Sequence, residues 1–122
     1  MATILLIDDD PLVAFTVEQM LLGGGYRVVR APDGEKGLKT LKEGKFDLVI
    51  TDIIMPVKEG IETIREIREY DPALPVIAVS GGGHAAGGSY LRMALALGAT
   101  EVLAKPFEQS ELLAAVRNCL GK

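Results

Sequence analysis

Residues 5–11 read Leu-Leu-Ile-Asp-Asp-Asp-Pro, three apolar residues followed at once by three carboxylates and a proline. Adjacent like charges repel, and a carboxylate leaves water only at a cost unless a positive group compensates it. The uninterrupted apolar run is typical of a strand buried on both faces, and Pro11 suits the first turn of a helix. The stretch therefore predicts a strand that ends at an acidic cluster and passes directly into a helix capped by Asp10.

The alternation of a short apolar run with an amphipathic stretch occurs five times along the chain. The apolar runs do not alternate with polar residues, which indicates strands of a parallel sheet covered on both faces. We predict strands at residues 3–8, 26–30, 46–51, 75–80 and 100–104. Five βα units predict a doubly wound α/β fold, a five-stranded parallel sheet in the order 2-1-3-4-5 with helices on both faces.

Length and composition limit the class of protein. The 122 residues are 48% hydrophobic and 25% charged, which suits one globular domain over residues 1–122. A formal net charge of −4, without a basic run interleaved with aromatic residues, argues against a nucleic-acid-binding surface. No signal peptide or membrane-length apolar stretch occurs, and the single cysteine, Cys119, fits a reducing compartment. We expect a cytoplasmic protein that binds neither nucleic acid nor membrane.

Reactive side chains follow four of the predicted strands. In an open parallel sheet, ligands bind beyond the carboxyl ends of the strands. Carboxylates without histidine or thiol suit a hard cation, and Mg²⁺ is the usual choice beside phosphate. A carboxylate can accept a phosphoryl group, whose charge a metal and a lysine neutralise. Each residue alone would be read as a cap or turn, but together they predict one site: Asp8, Asp9, Asp52, Ser80 and Lys105.

With these residues in place, the sequence resembles the receiver domain of two-component response regulators over essentially the whole chain. The resemblance rests on the segments LLIDDDP, DLVITDIIMPVKEG, VIAVSG and KPF. It implies a flavodoxin-like fold, and a phosphoryl group transferred to Asp52 from a sensor histidine kinase or histidine phosphotransfer protein. It also implies a cis peptide bond between Lys105 and Pro106. The remaining roles that it implies are a switch hydroxyl (Ser80), a phosphate-contacting lysine (Lys105), and Mg²⁺ ligands (Asp8, Asp9, Asp52 and the backbone carbonyl of Ile54).

Three features depart from that family pattern. Val102 stands where the family usually has Tyr or Phe, so the usual aromatic switch cannot operate in that form. Residues 81–88 contain five glycines, which disfavour a helix and predict a mobile segment. Ordering of that segment on phosphorylation and a merely long loop both stay open. The fourth helix is apolar over a wide arc: one side is formed by Tyr90, Met93, Ala94 and Leu97, and Leu91 and Leu95 lie well round from it. Either a partner surface or a deeper helix explains this.

Two other functions stay open. One is a Mg²⁺-dependent phosphohydrolase of the haloacid-dehalogenase type, with Asp8 as nucleophile and Asp10 as acid/base. Against it, only Glu108 and Glu111 follow Lys105, and no cap segment encloses a substrate. The other is a pseudo-receiver that acts purely as an interaction module.

We expect a stand-alone phosphoacceptor receiver, a monomer or weak homodimer, that catalyses only its own phosphorylation and dephosphorylation. A receiver that is part of a longer protein stays open as the alternative. Its output would pass to an unknown downstream protein, with Leu91 and Leu95 as the candidate contacts. Because Ile54 and Gly82 offer no group to position an attacking water, we also expect slow self-dephosphorylation.

Overall fold

A computed structural model of the chain describes residues 1–53, 57–80 and 92–121, without the side chains of 57–59. The strands are β1 (Thr3–Ile7), β2 (Arg27–Ala31), β3 (Leu48–Asp52), β4 (Val76–Ser80) and β5 (Glu101–Ala104). The helices are α1 (Pro11–Gly23), α2 (Gly34–Glu43), α3 (Val57–Tyr70), α4 (residues 92–96, its described part) and α5 (Gln109–Leu120). In these ranges no helix combines the length and apolar character needed to cross a bilayer.

The strands form one parallel sheet in the order β2-β1-β3-β4-β5, which confirms the predicted fold. Their boundaries differ from the prediction by one or two residues. β1 ends at Ile7, although the Asp8 amide still donates to the Ala31 carbonyl at 3.1 Å. β3 continues one residue further than predicted, since Asp52 is paired with Val79 of β4. Asp52 is therefore held by the sheet itself and not by a loop.

The sheet separates two hydrophobic cores, and the residues of β1 alternate between them. Leu5 and Ile7 belong to the core that includes residues of α3, while Ile4 and Leu6 belong to the core that includes residues of α1 and α5. Successive side chains of a strand point to opposite faces, so a strand covered on both sides must be apolar throughout. Full burial of such a side chain stabilises the fold by about 1.5–3 kcal/mol.

Asp10 caps α1, as predicted. Its Oδ1 accepts hydrogen bonds from the amides of Leu12 at 3.0 Å and Val13 at 3.3 Å, and Pro11 occupies the first turn. These bonds satisfy amides that have no partner inside the helix, a contribution of about 1 kcal/mol. The Asp10 amide in turn donates to Asp8 Oδ1 at 2.9 Å. The third aspartate of the run is thus structural, and it also orients the first.

The described part of α4 corrects one expectation about its faces. Ala94 is buried, but Met93, assigned from the sequence to the same side, is 47% exposed, as is Leu95. Adjacent residues of a helix lie about 100° apart, so Ala94 can face the core while Met93 turns away from it. Residues 81–88, Tyr90 and Leu91, for which mobility or a partner surface was predicted, lie outside the described residues.

Candidate functional site

Three polar side chains are buried at the carboxyl edge of the sheet. Asp8, Asp52 and Ser80 are only 6%, 8% and 2% exposed. Asp8 directly follows β1, while Asp52 and Ser80 are the last residues of β3 and β4, and the order of these neighbouring strands brings the three side chains together. A buried carboxylate needs a charged or hydrogen-bonded partner, because its transfer out of water is costly. Three residues of the predicted site therefore lie together, and their two buried carboxylates require a compensating positive charge.

Lys105 supplies that compensation. Its Nζ lies 3.2 Å from Asp52 Oδ2 and 3.4 Å from Asp8 Oδ2, with the lysine side chain 19% exposed. The Lys105 amide donates to the Ser80 carbonyl at 2.8 Å, which places the lysine at the end of β4. The following peptide bond, to Pro106, is cis. One ammonium group thus serves two buried carboxylates.

The environment of Asp8 raises the pKa of its carboxyl group above the ordinary value. Burial is the main cause, and the nearby charge of Asp52 acts in the same direction. The hydrogen bond from the Asp10 amide and the ammonium of Lys105 oppose the shift without cancelling it. The carboxylate form of Asp8 is therefore held at a cost, which a further positive charge would relieve.

Asp9 completes a cluster of carboxylates. One oxygen each from Asp8, Asp9 and Asp52 lies within 4.8 Å of the other two, and Asp9 is exposed. All the donors are carboxylate oxygens, the ligands of hard divalent cations such as Mg²⁺, which retains several waters and binds one or two carboxylates directly. The donor set therefore fits such an ion. Ile54, whose carbonyl was expected to contribute, lies outside the described residues.

The Ser80 hydroxyl has no hydrogen-bond partner among the described residues, although it is buried. An unsatisfied buried hydroxyl costs about 1–3 kcal/mol, and such groups are uncommon in folded proteins. Ser80 is paired with Ala104 across β4 and β5, one residue before Lys105. Its free hydroxyl therefore suits an oxygen ligand that enters the site beside the ammonium group.

A glycine near the site was missed by the sequence reasoning. A Cβ atom on Gly60 of α3 would lie 2.5 Å from the Cα of Ile53, the residue after Asp52. Because the obstacle is backbone, a side chain at this position would displace the end of β3. The sequence signal was a glycine inside a helical pattern, which costs about 1 kcal/mol and usually has a packing reason.

Val102, at the position where an aromatic residue was expected, is part of β5. It is half-buried and packs against the core that contains Ile64 and Ala94. An aliphatic side chain anchored in this way fills the place on β5 without a ring that could turn.

Comparisons with known proteins agree with this architecture. The family model described as the response regulator receiver domain matches residues 4–117. The transcriptional regulatory protein DltR of Streptococcus agalactiae is 34% identical over 115 residues, covering 93% of this chain and 50% of its own length. CpxR of Klebsiella pneumoniae is 38% identical over 124 residues, covering 100% of this chain and 50% of its own length. The chain thus spans about half the length of the curated relatives it matches.

Solved structures show the same fold. A receiver domain protein from Clostridium thermocellum superimposes with a TM-score of 0.90 at 32% identity, over 99% of this chain and 95% of that one. The chemotaxis protein CheY4 of Vibrio cholerae superimposes with a TM-score of 0.87 at 30% identity, over 98% of this chain and 99% of that one.

Proposed function

Since the chain belongs to the response regulator receiver family of two-component systems, we propose that Asp52 accepts a phosphoryl group from a histidine kinase or histidine phosphotransfer protein. The observation that carries the proposal is the position of Lys105, whose ammonium lies 3.2 Å from Asp52 and 3.4 Å from Asp8. The buried Ser80 hydroxyl, which has no partner among the described residues, ends the neighbouring strand β4. A carboxylate can act as the nucleophile in phosphoryl transfer, and a cation and a hydroxyl donor can stabilise charge on the transferred group.

In the reaction, a carboxylate oxygen of Asp52 attacks phosphorus and the bond from phosphorus to the imidazole nitrogen breaks. The other ring nitrogen of the donor carries a proton, so the leaving nitrogen takes the electron pair and departs as part of a neutral imidazole. Lys105 neutralises charge on the phosphoryl oxygens, and Ser80 donates its hydroxyl hydrogen to one of them. Both groups already lie at the edge of the sheet, so little reorganisation is needed.

The proposed cofactor is Mg²⁺, held by Asp8, Asp9 and Asp52, with the Ile54 carbonyl as a further expected ligand. When bound, the ion neutralises charge on the phosphoryl group. Asp8 is already oriented as a ligand, because the Asp10 amide donates a hydrogen bond to its Oδ1 at 2.9 Å. Because the pKa of Asp8 is raised mainly by burial, protons compete with the cation for this ligand.

The geometry disfavours the phosphohydrolase alternative. That mechanism needs Asp10 as an acid/base beside a nucleophilic Asp8. Asp10 Oδ1 instead accepts from two amides of α1, and Asp8 engages the Asp10 amide and Lys105 with its two oxygens. Because Asp10 Oδ1 is engaged by the helix amides, this side chain is poorly placed to donate a proton to a leaving group.

The module would signal by a conformational change read by a downstream protein. Met93 and Leu95, each 47% exposed on α4, are the described candidates for that contact, and Leu91 lies outside the described residues. Because Val102 on β5 is aliphatic and packs against the core, the change would start from the Ser80 end of β4 and not from an aromatic ring on β5. Slow self-dephosphorylation remains a prediction, since Ile54 and Gly82 lie outside the described residues.

The test is to incubate the protein with Mg²⁺ and acetyl phosphate and to measure intact mass. We expect a labile phosphoryl adduct in the wild type and in the control Glu66→Gln, an exposed residue of α3. Asp52→Asn should abolish the adduct, and Asp8→Asn should weaken it. An adduct that survives Asp52→Asn and disappears with Asp8→Asn would support the phosphohydrolase. No adduct in the wild type would leave an interaction module.

A further inference from the structure

A small cavity borders the acidic cluster on the β2 side of the site. Its volume is about 230 Å³, and its lining consists of Asp8, Asp9, Pro11, Arg30, Ala31 and Pro32. Asp8 and Asp9 also belong to the carboxylate cluster with Asp52, so the cavity and the proposed phosphorylation site share two carboxylates. A space of this size accommodates a group of a few atoms. The sequence reasoning had assigned no reactive group to the end of β2.

Among the described residues of that lining, Arg30 is the only one with a positive charge. One of its nitrogens, Nη1, donates to Glu18 Oε1 of α1 at 3.1 Å, and the two side chains are 36% and 22% exposed. A guanidinium group has five N–H donors in a fixed plane. A single contact with Glu18 holds the plane in position and leaves donors for a second anion.

We propose that Arg30 determines which small phosphoryl donors the protein uses, by contacting the anionic leaving group of an acyl phosphate. An acyl phosphate is the mixed anhydride of phosphoric acid and a carboxylic acid. Its phosphoryl group lies at Asp52, and its acyl group occupies the cavity beside Arg30. The inference rests on the proposed function, because it presupposes phosphoryl transfer to Asp52.

The chemistry of the leaving group explains why a cation is needed there. An oxygen of Asp52 attacks phosphorus, the bond from phosphorus to the acyl oxygen breaks, and the electron pair departs with a carboxylate. No proton moves, so the leaving group gains a full negative charge. Asp8 and Asp9 in the same lining repel that charge, and Arg30 offsets the repulsion.

Phosphoramidate provides the contrasting donor. Its nitrogen is protonated before transfer, and when the bond from phosphorus to nitrogen breaks, the nitrogen takes the electron pair and leaves as neutral ammonia. No anion develops in the cavity. A guanidinium group at Arg30 therefore assists the first donor and not the second.

The experiment compares the rates of phosphorylation by acetyl phosphate and by phosphoramidate, both with Mg²⁺ and followed by intact mass. Arg30→Gln should slow the reaction with acetyl phosphate about three- to fivefold, the size of a partly exposed ionic contact, and leave the phosphoramidate rate unchanged. Arg30→Lys should recover part of the loss. The matched control is Arg27→Gln, an exposed arginine of the same strand outside this lining, which should change neither rate.

Glu18→Gln separates the guanidinium group from its ion pair, and it should retain or raise the rate with acetyl phosphate. Equal slowing with both donors by Arg30→Gln, or no slowing with either, would overturn the proposal. So would a Glu18→Gln variant that loses as much as Arg30→Gln, because the ion pair would then be structural. A wild type that forms no adduct at Asp52 with either donor would instead refute the proposed function itself.

Discussion

Replacement of Lys105 by methionine removes the only ammonium group that contacts the two buried carboxylates among the described residues. The Nζ atom lies 3.2 Å from Asp52 and 3.4 Å from Asp8. At an effective dielectric constant of about 20, each attraction amounts to about 5 kcal/mol before the cost of desolvating the lysine. Methionine keeps most of the apolar stem, so the change isolates the charge.

The net loss is much smaller than these attractions. Removing one member of a buried ion pair costs about 3–5 kcal/mol, mainly because the remaining charge is left without a partner. The Lys105 side chain retains 19% exposure, so water screens part of the interaction. We expect Lys105→Met to lower the free energy of unfolding of the metal-free protein by about 2 kcal/mol near neutral pH.

The pH dependence gives the sharper test. Lys105 lowers the pKa of Asp8, so in its absence burial and the charge of Asp52 raise that pKa further. A carboxyl group whose pKa is raised by folding destabilises the folded state as pH rises through its folded value. The loss in Lys105→Met should therefore be larger at about pH 8 than at about pH 5. Excess Mg²⁺ should reduce it.

Urea unfolding at both pH values measures these free energies. The control is Lys39→Met, an exposed lysine of α2 that undergoes the same change of charge and should lose little. An equal loss for the two variants, or a loss for Lys105→Met that does not vary with pH, would show that the ammonium group does not compensate the carboxylates.

Three further predictions concern single residues. Asp8→Asn should raise the stability of the metal-free protein at neutral pH and flatten its decline with rising pH, because burial raises the pKa of Asp8; urea unfolding that shows a loss instead would contradict this. Gly60→Ala should cost about 1–3 kcal/mol by the same method, since its Cβ would lie 2.5 Å from the Ile53 Cα, whereas Gly23→Ala meets only the end of the Gln109 side chain and serves as the control. Burial, with a smaller contribution from Glu101, raises the pKa of the Cys119 thiol to about 11. Alkylation of the folded protein at mildly alkaline pH should therefore be on the order of a hundredfold slower than in denaturant, and comparable rates would refute the burial of this thiol.

The sequence alone predicted the strands from local signals, the sheet order from the general topology of doubly wound folds, and the side chains expected at the carboxyl edge from both. Apolar runs without alternation indicate strands covered on both faces, and the residues that follow parallel strands must meet at one edge. The role of Asp10 as a cap was equally local, since its bonds reach only Leu12 and Val13. These inferences required no knowledge of how the helices pack.

Other features depend on contacts between distant parts of the chain, and only the tertiary structure decided them. Lys105 reaches Asp8 across 97 positions, and this contact determines how the charge of the site is balanced. The exposure of Met93, the backbone contact at Gly60 and the cavity beside Arg30 likewise follow from how the helices and strands pack. Periodicity assigns a residue to a face of its own element, but its distance to another element is set by the packing of the whole core.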